Sequence, residues 1–417
     1  MILALPWSVE YSFNTSLGTD LPDEPLMWLM TVLFVAYFLV NSPATLKNWR
    51  HPLIFLLFLY LFWILISILF STEWLVSVKF FLAKTWYILA FVFTPLAIIK
   101  NKNAIRVMSC LFSLSMLCVV AIILFRHALL GFTFADVNKA VSPFFRNHVN
   151  YSAMLVCVVP VLIAMYRLNR RLRLLLIVAI VVVLAALFFS YARGAWLALV
   201  VGLISYWLIS KQRLLIAFVI TLVIIVGSVF WISSSDRYLN YANDYKTTIF
   251  HTDFREHLVA TYRLKDLSTA ERFNRWVAGV RMVKDKWLTG FGSNTFYNNY
   301  KAYSIPVFKT WVSDNKEHST VHNYLLLVLI EQGIPGLVFF LLLAGTMLYY
   351  SQTLYAKIHD SFYKNIVMAV GVMLMMILTV NFLSDLIETD KVGSLFFLCL
   401  ATLVITDMNT AKEVTGV

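Results

Sequence analysis

The feature that most constrains this chain is a series of apolar runs, each long enough to cross about 30 Å of hydrocarbon. They recur near residues 26–41, 52–70, 78–99, 105–125, 150–166, 174–190, 195–210, 213–232, 323–349, 365–383 and 392–407, eleven in all. Backbone in lipid must satisfy its own hydrogen bonds, so runs of this length read as helices. The expected fold class is all-α: an integral membrane bundle of about 11–12 transmembrane helices. Composition supports this, since 60% of the 417 residues are hydrophobic and 13% are charged. Soluble domains carry about 25% charged residues, and too few are left here to cover a soluble core.

The short loops alternate in charge. One set holds Lys47 and Arg50, then Lys100, Lys102 and Arg106, then Arg167, Arg170, Arg171 and Arg173, and later Lys211, Arg213, Lys357 and Lys364. The alternate loops are poorer in Lys and Arg, so the first set is expected on the cytoplasmic side and residues 233–322 on the other. The net charge of +12 follows from the same bias. No basic run is interleaved with aromatics outside the spans, so membrane lipids and not nucleic acid are the expected partners. Eleven spans with a cytoplasmic C-terminus put the N-terminus outside. Residues 1–7 read as the tail of an apolar segment and 8–25 as a polar external loop. The expectation is a first helix truncated here or beginning upstream of Met1, or else a short re-entrant N-terminus. No cleavable signal peptide is visible.

One composition shift divides the chain into an N-terminal bundle (1–232), a long polar loop (233–322) and C-terminal spans (323–417). A loop of this length is usually functional. After Thr269 it reads as a helix, with Phe273, Trp276, Val277, Val280 and Val283 on one face and Ser268 or Thr269 as N-cap. No CxxC, HExxH or GxSxG occurs, and GFGS at 290–293 lacks the Lys-Ser/Thr of a phosphate-binding loop. Cys110, Cys118, Cys157 and Cys399 lie in apolar runs as small fillers. Asp385, Glu388 and Asp390 read as an acidic loop before they read as a metal site. No cofactor and no metal are expected.

Ionisable groups at membrane depth are functional candidates. Arg193, in FFSYARGAWLAL, is either an interfacial anchor or a fixed cation facing an anionic substrate. Lys84, in SVKFFLAKTWYIL, either lines a polar cavity or forms a structural ion pair. Arg272 and Arg275 share a helix face; they are either a phosphate clamp or a solvated face with Glu271 as partner. His322 stands where the loop meets a span. It is either a base or an interface or capping group, with Asn323 to orient it or bind substrate and His318 a second candidate. Arg146, His148 and Asn150 form a further polar cluster.

Taken in order, SYARGAW, AERFNRWVAGVRMVKDKWLTGFGSNTF and HNYLLLVLIEQGIPGL resemble the bacterial O-antigen ligase / O-antigen polymerase superfamily. Arg272 and Trp276 fit its Arg and following Trp. Gly290 and Gly292 fit its glycine turn, with Trp287 where Pro is usual. His322, Asn323, Glu331 and Gly333 fit its last motif. The resemblance covers about residues 185–340 by motif. It implies twelve spans, a fold similar to the GT-C glycosyltransferases, and residence in the inner membrane. It implies transfer of a glycan from undecaprenyl diphosphate on the periplasmic side. The acceptor is lipid A–core in ligases, another carrier-linked glycan in polymerases and a protein hydroxyl in a third branch. The roles it implies are donor diphosphate binding by Arg193, Arg272 and Arg275, and activation of the acceptor by His322. Asn323, His318, Lys84, Arg146 and Asn150 would support or bind substrate. Transfer would be inverting and metal-independent. A transporter of the same lipid-linked glycan is the rival class; transporters tend to carry internal repeats, and none is visible.

Overall fold

Each apolar run becomes a helix in the computed structural model, which describes residues 1–12, 18–46, 50–233, 267–308 and 320–415. The helices are α1 (Asp23–Leu46), α2 (Pro52–Ile68), α3 (Trp74–Ile98), α4 (Lys102–Leu129), α5 (His148–Leu168), α6 (Arg173–Phe189), α7 (Arg193–Ser210), α8 (Leu214–Ser233), α9 (Leu267–Asp285), α10 (Tyr324–Lys357), α11 (Ser361–Phe382) and α12 (Asp390–Thr415). Of these, α9 belongs to the long loop. Among the described residues, ten helices are long and apolar enough to cross a membrane, and α2 adds a shorter apolar helix of 17 residues. The eleven runs read from the sequence are all present, and the protein is a multi-pass helical membrane protein.

Polar caps set several helix starts. Asn101 accepts from the backbone N–H of Ala104 (2.9 Å), Asn147 from those of Val149 and Asn150, and Asp360 from that of Tyr363 (3.1 Å). Each satisfies donors that the first turn leaves unpaired. The core lies around α11, which packs on α5, α7, α10 and α12, while α10 packs on α2. Leu53, Met116, Cys157 and Ala198 from early spans share one buried cluster with Leu343, Leu374 and Leu400 from late ones. The spans on either side of the loop therefore form one bundle. Cys157 and Cys399 are buried fillers as expected, whereas Cys110 and Cys118 lie exposed on the outer surface.

The helices alternate in direction, so one face of the bundle gathers the loop. At the opposite face His51 meets Asp407 (3.1 Å) and Lys102 meets Asp360 (2.9 Å). On the loop face the segment 8–25 is not a plain loop. Val9–Ser12 pairs antiparallel with Gly18–Leu21, and α1 begins at Asp23. Alternation is weak in so short a polar hairpin, which hid it in the sequence.

Two further departures bear on the site. α10 is not one continuous span, because Gly333 breaks it with φ +68°. α9 begins at Leu267, so Ser268 and Thr269 lie in its first turn and neither is the N-cap. Its buried side carries Ala270, Glu271, Asn274, Arg275, Ala278 and Met282. Of Phe273, Trp276, Val277, Val280 and Val283, which share one face, Val277 is fully buried and the rest are half-buried. A small residue takes the contact with α10: a Cβ on Gly279 would stand 2.7 Å from Cδ1 of Ile330.

Candidate functional site

The site is built where α9 meets the start of α10. The turn before α10 carries His322 in the left-handed region (φ +53°), a conformation that costs a non-glycine residue about 1–3 kcal/mol. Surrounding contacts hold it there. The indole N–H of Trp276 donates to the carbonyl of Val321 (3.0 Å), and Nη1 of Arg275 donates to the carbonyl of Thr320 (2.9 Å). α9 thus grips the two carbonyls that precede His322. On its other side, Asn323 is the N-cap of α10. Its Oδ1 accepts from the N–H of Leu326 (2.9 Å) and its Nδ2 donates to the carbonyl of Phe382 (3.0 Å). The Asn323 side chain is therefore occupied in fixing the turn.

Nε2 of His322 lies 3.4 Å from Nη1 of Arg275, and Nδ1 lies 3.8 Å from Oδ1 of Asp385. Burial, then the charges of Arg272 and Arg275, push the His322 pKa down to about 3. The ring still keeps 35% of its side-chain surface open. It is a neutral imidazole that a ligand can reach. Asp385 is itself pushed above the usual carboxylate range, chiefly by burial and further by Glu388, while Thr320 and Arg146 pull it down.

Arg275 is buried, and its Nη2 pairs with Glu271 at 3.5 Å. Its guanidinium is largely used inside the protein. Arg272, one turn-face neighbour earlier on α9, is half-buried. Arg193 is the first residue of α7 and is half-exposed. The next residue, Gly194, faces Leu383, 3.6 Å from the position its Cβ would take. The start of α7 thus lies beside the segment that carries Asp385. Arg146 is exposed and acts electrostatically on Asp385; Asn150 is half-buried in the first turn of α5. Arg272, Arg275, His322, Arg146 and the Arg193 end of α7 are therefore gathered on one face. Lys84 is tied instead into an ion pair with Glu388 (2.6 Å), the structural alternative of its two readings. His318 lies outside the described residues.

The three acids of the late loop turn to different partners: Asp385 to His322, Glu388 to Lys84, and Asp390 to Ser8 (3.4 Å). Sequence reasoning missed Asp385 as a histidine partner. Its only sequence signal was an acid at the mouth of a span, and nothing local pairs it with His322.

The glycine turn has a structural role. The N–H of Phe291 donates to Ile330 O (3.0 Å), that of Gly292 to Glu331 O (2.9 Å), and that of Ile334 to Trp287 O (2.8 Å). The loop thus takes up backbone groups freed by the break at Gly333. The carboxylate of Glu331 in turn accepts from the N–H groups of Asn294 (2.7 Å) and Phe296 (3.2 Å). The approach is close enough that a Cβ on Gly333 would stand 2.1 Å from Leu288 O, and one on Gly290 would stand 2.4 Å from the Glu331 carbonyl. An acid in an apolar run was the sequence sign of this joint.

Fold and site together define a multi-pass helical membrane protein with a histidine and arginine cluster under a docked polar loop. Residues 178–341 match the family model described as O-Antigen ligase, and this places that segment in the O-antigen ligase superfamily. An O-antigen ligase of Salmonella typhimurium (strain LT2) is 23% identical over 218 residues, which cover 51% of this chain and 49% of that protein. The chain thus spans about half the length of the curated relative it matches. The matched segment contains Arg193, α9, the glycine turn and His322.

Proposed function

We propose that the protein is a membrane glycosyltransferase. It moves a glycan from undecaprenyl diphosphate to lipid A–core at the periplasmic face of the bacterial inner membrane, without a metal and with inversion. The observation that carries this reading is the neutral His322, held in a strained turn between Arg275 and Asp385.

Arg193 and Arg272 hold the donor diphosphate. Arg275 secures the His322 turn through Thr320 and adds positive charge beside it. The acid of Asp385 near Nδ1 favours the tautomer that leaves Nε2 with a lone pair. A hydroxyl of the acceptor gives its proton to Nε2, and its oxygen attacks the anomeric carbon of the donor. The bond from that carbon to the diphosphate oxygen breaks, and the arginines stabilise the charge left on undecaprenyl diphosphate. A pKa near 3 makes His322 a weak base in the free protein. The diphosphate offsets the arginines that depress it, so donor binding raises its basicity before the acceptor reacts.

The test is purified protein with carrier-linked glycan and lipid A–core. Product on lipid A supports the ligase reading. Longer carrier-linked chains mean a polymerase, and loss of neither substrate points to transport. If EDTA abolished transfer and a divalent ion restored it, the role given to the arginines would be wrong.

A further inference from the structure

We propose that the segment between α4 and α5, together with the turn before Arg193, forms a subsite for the donor's first sugar, the one bonded to the diphosphate. This rests on the donor reading above and goes further by naming the wall that meets the sugar.

The wall is built around three rings. The Phe134 ring lies 5.6 Å from that of Tyr191 and 6.2 Å from that of His148, edge-on to both. All three side chains are partly exposed. Tyr191 is fixed in place: its hydroxyl donates to the carbonyl of Phe132 (2.6 Å), and its backbone is left-handed with φ +56°. His148 is fixed by Asn138, whose Oδ1 lies 2.9 Å from Nδ1 and accepts the His148 N–H at 3.0 Å. The rings are thus preorganised, and ordering them costs little on binding.

The polar groups beside them have capacity to spare. The Asn150 side chain makes no hydrogen bond among the described residues, and Arg146 is exposed, with its charge felt at Asp385. Partly exposed aromatic rings beside a few uncommitted amide and cationic groups suit a pyranose. Its C–H face packs on rings, and its hydroxyls need donors and acceptors at the edge. The position selects the first sugar. Tyr191 precedes Arg193 by two residues, so a diphosphate on Arg193 sets the attached sugar against Phe134 and Tyr191. On the far side, the charge of Arg146 is felt at Asp385, which lies 3.8 Å from His322.

The experiment compares binding of sugar-free undecaprenyl diphosphate and of carrier-linked glycan to purified protein in nanodiscs. Wild type is expected to bind the glycosylated carrier more tightly. Phe134→Ala is expected to reduce that preference about tenfold, the scale of one aromatic contact, and to leave sugar-free carrier binding unchanged. Phe134→Leu keeps the apolar volume, loses the ring and is expected to behave alike, so it serves if Phe134→Ala does not fold. Equal binding of both carriers by wild type, or an equal loss for both in the variants, would overturn the subsite alone. Binding of neither carrier would overturn the donor reading with it.

Discussion

Nδ1 of His322 stands 3.8 Å from Oδ1 of Asp385, which links the end of the long loop to the turn between α11 and α12. The separation is longer than a hydrogen bond, and the contact orients the ring through charge. Asp385→Asn keeps the shape and removes the charge. The expected result is a fall in kcat on the order of 10²-fold with donor KM unchanged, read in steady-state transfer assays. An unchanged kcat would make Asp385 a bystander.

The depressed pKa of His322 has a sign that can be checked. Free in the folded protein it is neutral down to about pH 3, whereas an unperturbed histidine titrates near 6.5. The unfolded chain therefore binds the extra proton as pH falls below about 6.5, and folding stability from this group is lost between there and pH 3. An anionic donor beside Arg272 and Arg275 raises the pKa of His322. Donor binding should then take up protons at pH 5–6, and affinity should strengthen as pH falls from 7 to 5. Calorimetry in buffers of different ionisation heat measures this, and zero uptake would place the diphosphate away from His322.

Arg272 and Arg275 of α9 separate by burial. Arg275→Ala removes the buried cation that faces Glu271 at 3.5 Å and frees the Thr320 carbonyl, so it should cost about 3–5 kcal/mol of stability. Arg272→Ala should leave thermal stability within a few degrees of wild type and weaken donor binding at least tenfold. Thermal unfolding in detergent, paired with donor titration, distinguishes the two. A stable Arg275→Ala protein would contradict the structural role given to that side chain.

Gly333→Ala should destabilise the joint between the glycine turn and α10. The backbone conformation alone costs about 1–3 kcal/mol, and the added Cβ would stand 2.1 Å from Leu288 O. Limited proteolysis should then cut the loop near residues 287–292 faster than in wild type. Unchanged protection would mean that the joint relaxes without releasing the loop.

Much of the architecture was legible because lipid imposes one rule, that backbone polar groups pair within the helix. This made all eleven spans readable from apolar runs alone. The site was legible in part. Arg193, Arg272 and His322 stood out as charges or a histidine at span ends, where such groups are costly. What stayed hidden depends on contacts distant in sequence. Asp385 gains meaning only when α11 brings it to His322. The Asn323 cap on α10 and the Lys84–Glu388 pair are seen only in the structure. The burial of Asn274 and Arg275 on α9 was hidden because their partners lie outside the helix: Arg275 donates to Thr320. Glu331 and Gln332 before Gly333 and Pro335 mark an interruption of the apolar run of α10, but the loop that takes up the freed backbone groups comes from elsewhere in the sequence.

The most direct test of the account compares wild type with His322→Ala for transfer and for donor binding in the same preparation. The account predicts that transfer falls by a factor of about 10²–10⁴, the range for loss of a general base, while carrier-linked glycan still binds with wild-type affinity. Transfer by His322→Ala at the wild-type rate would contradict it.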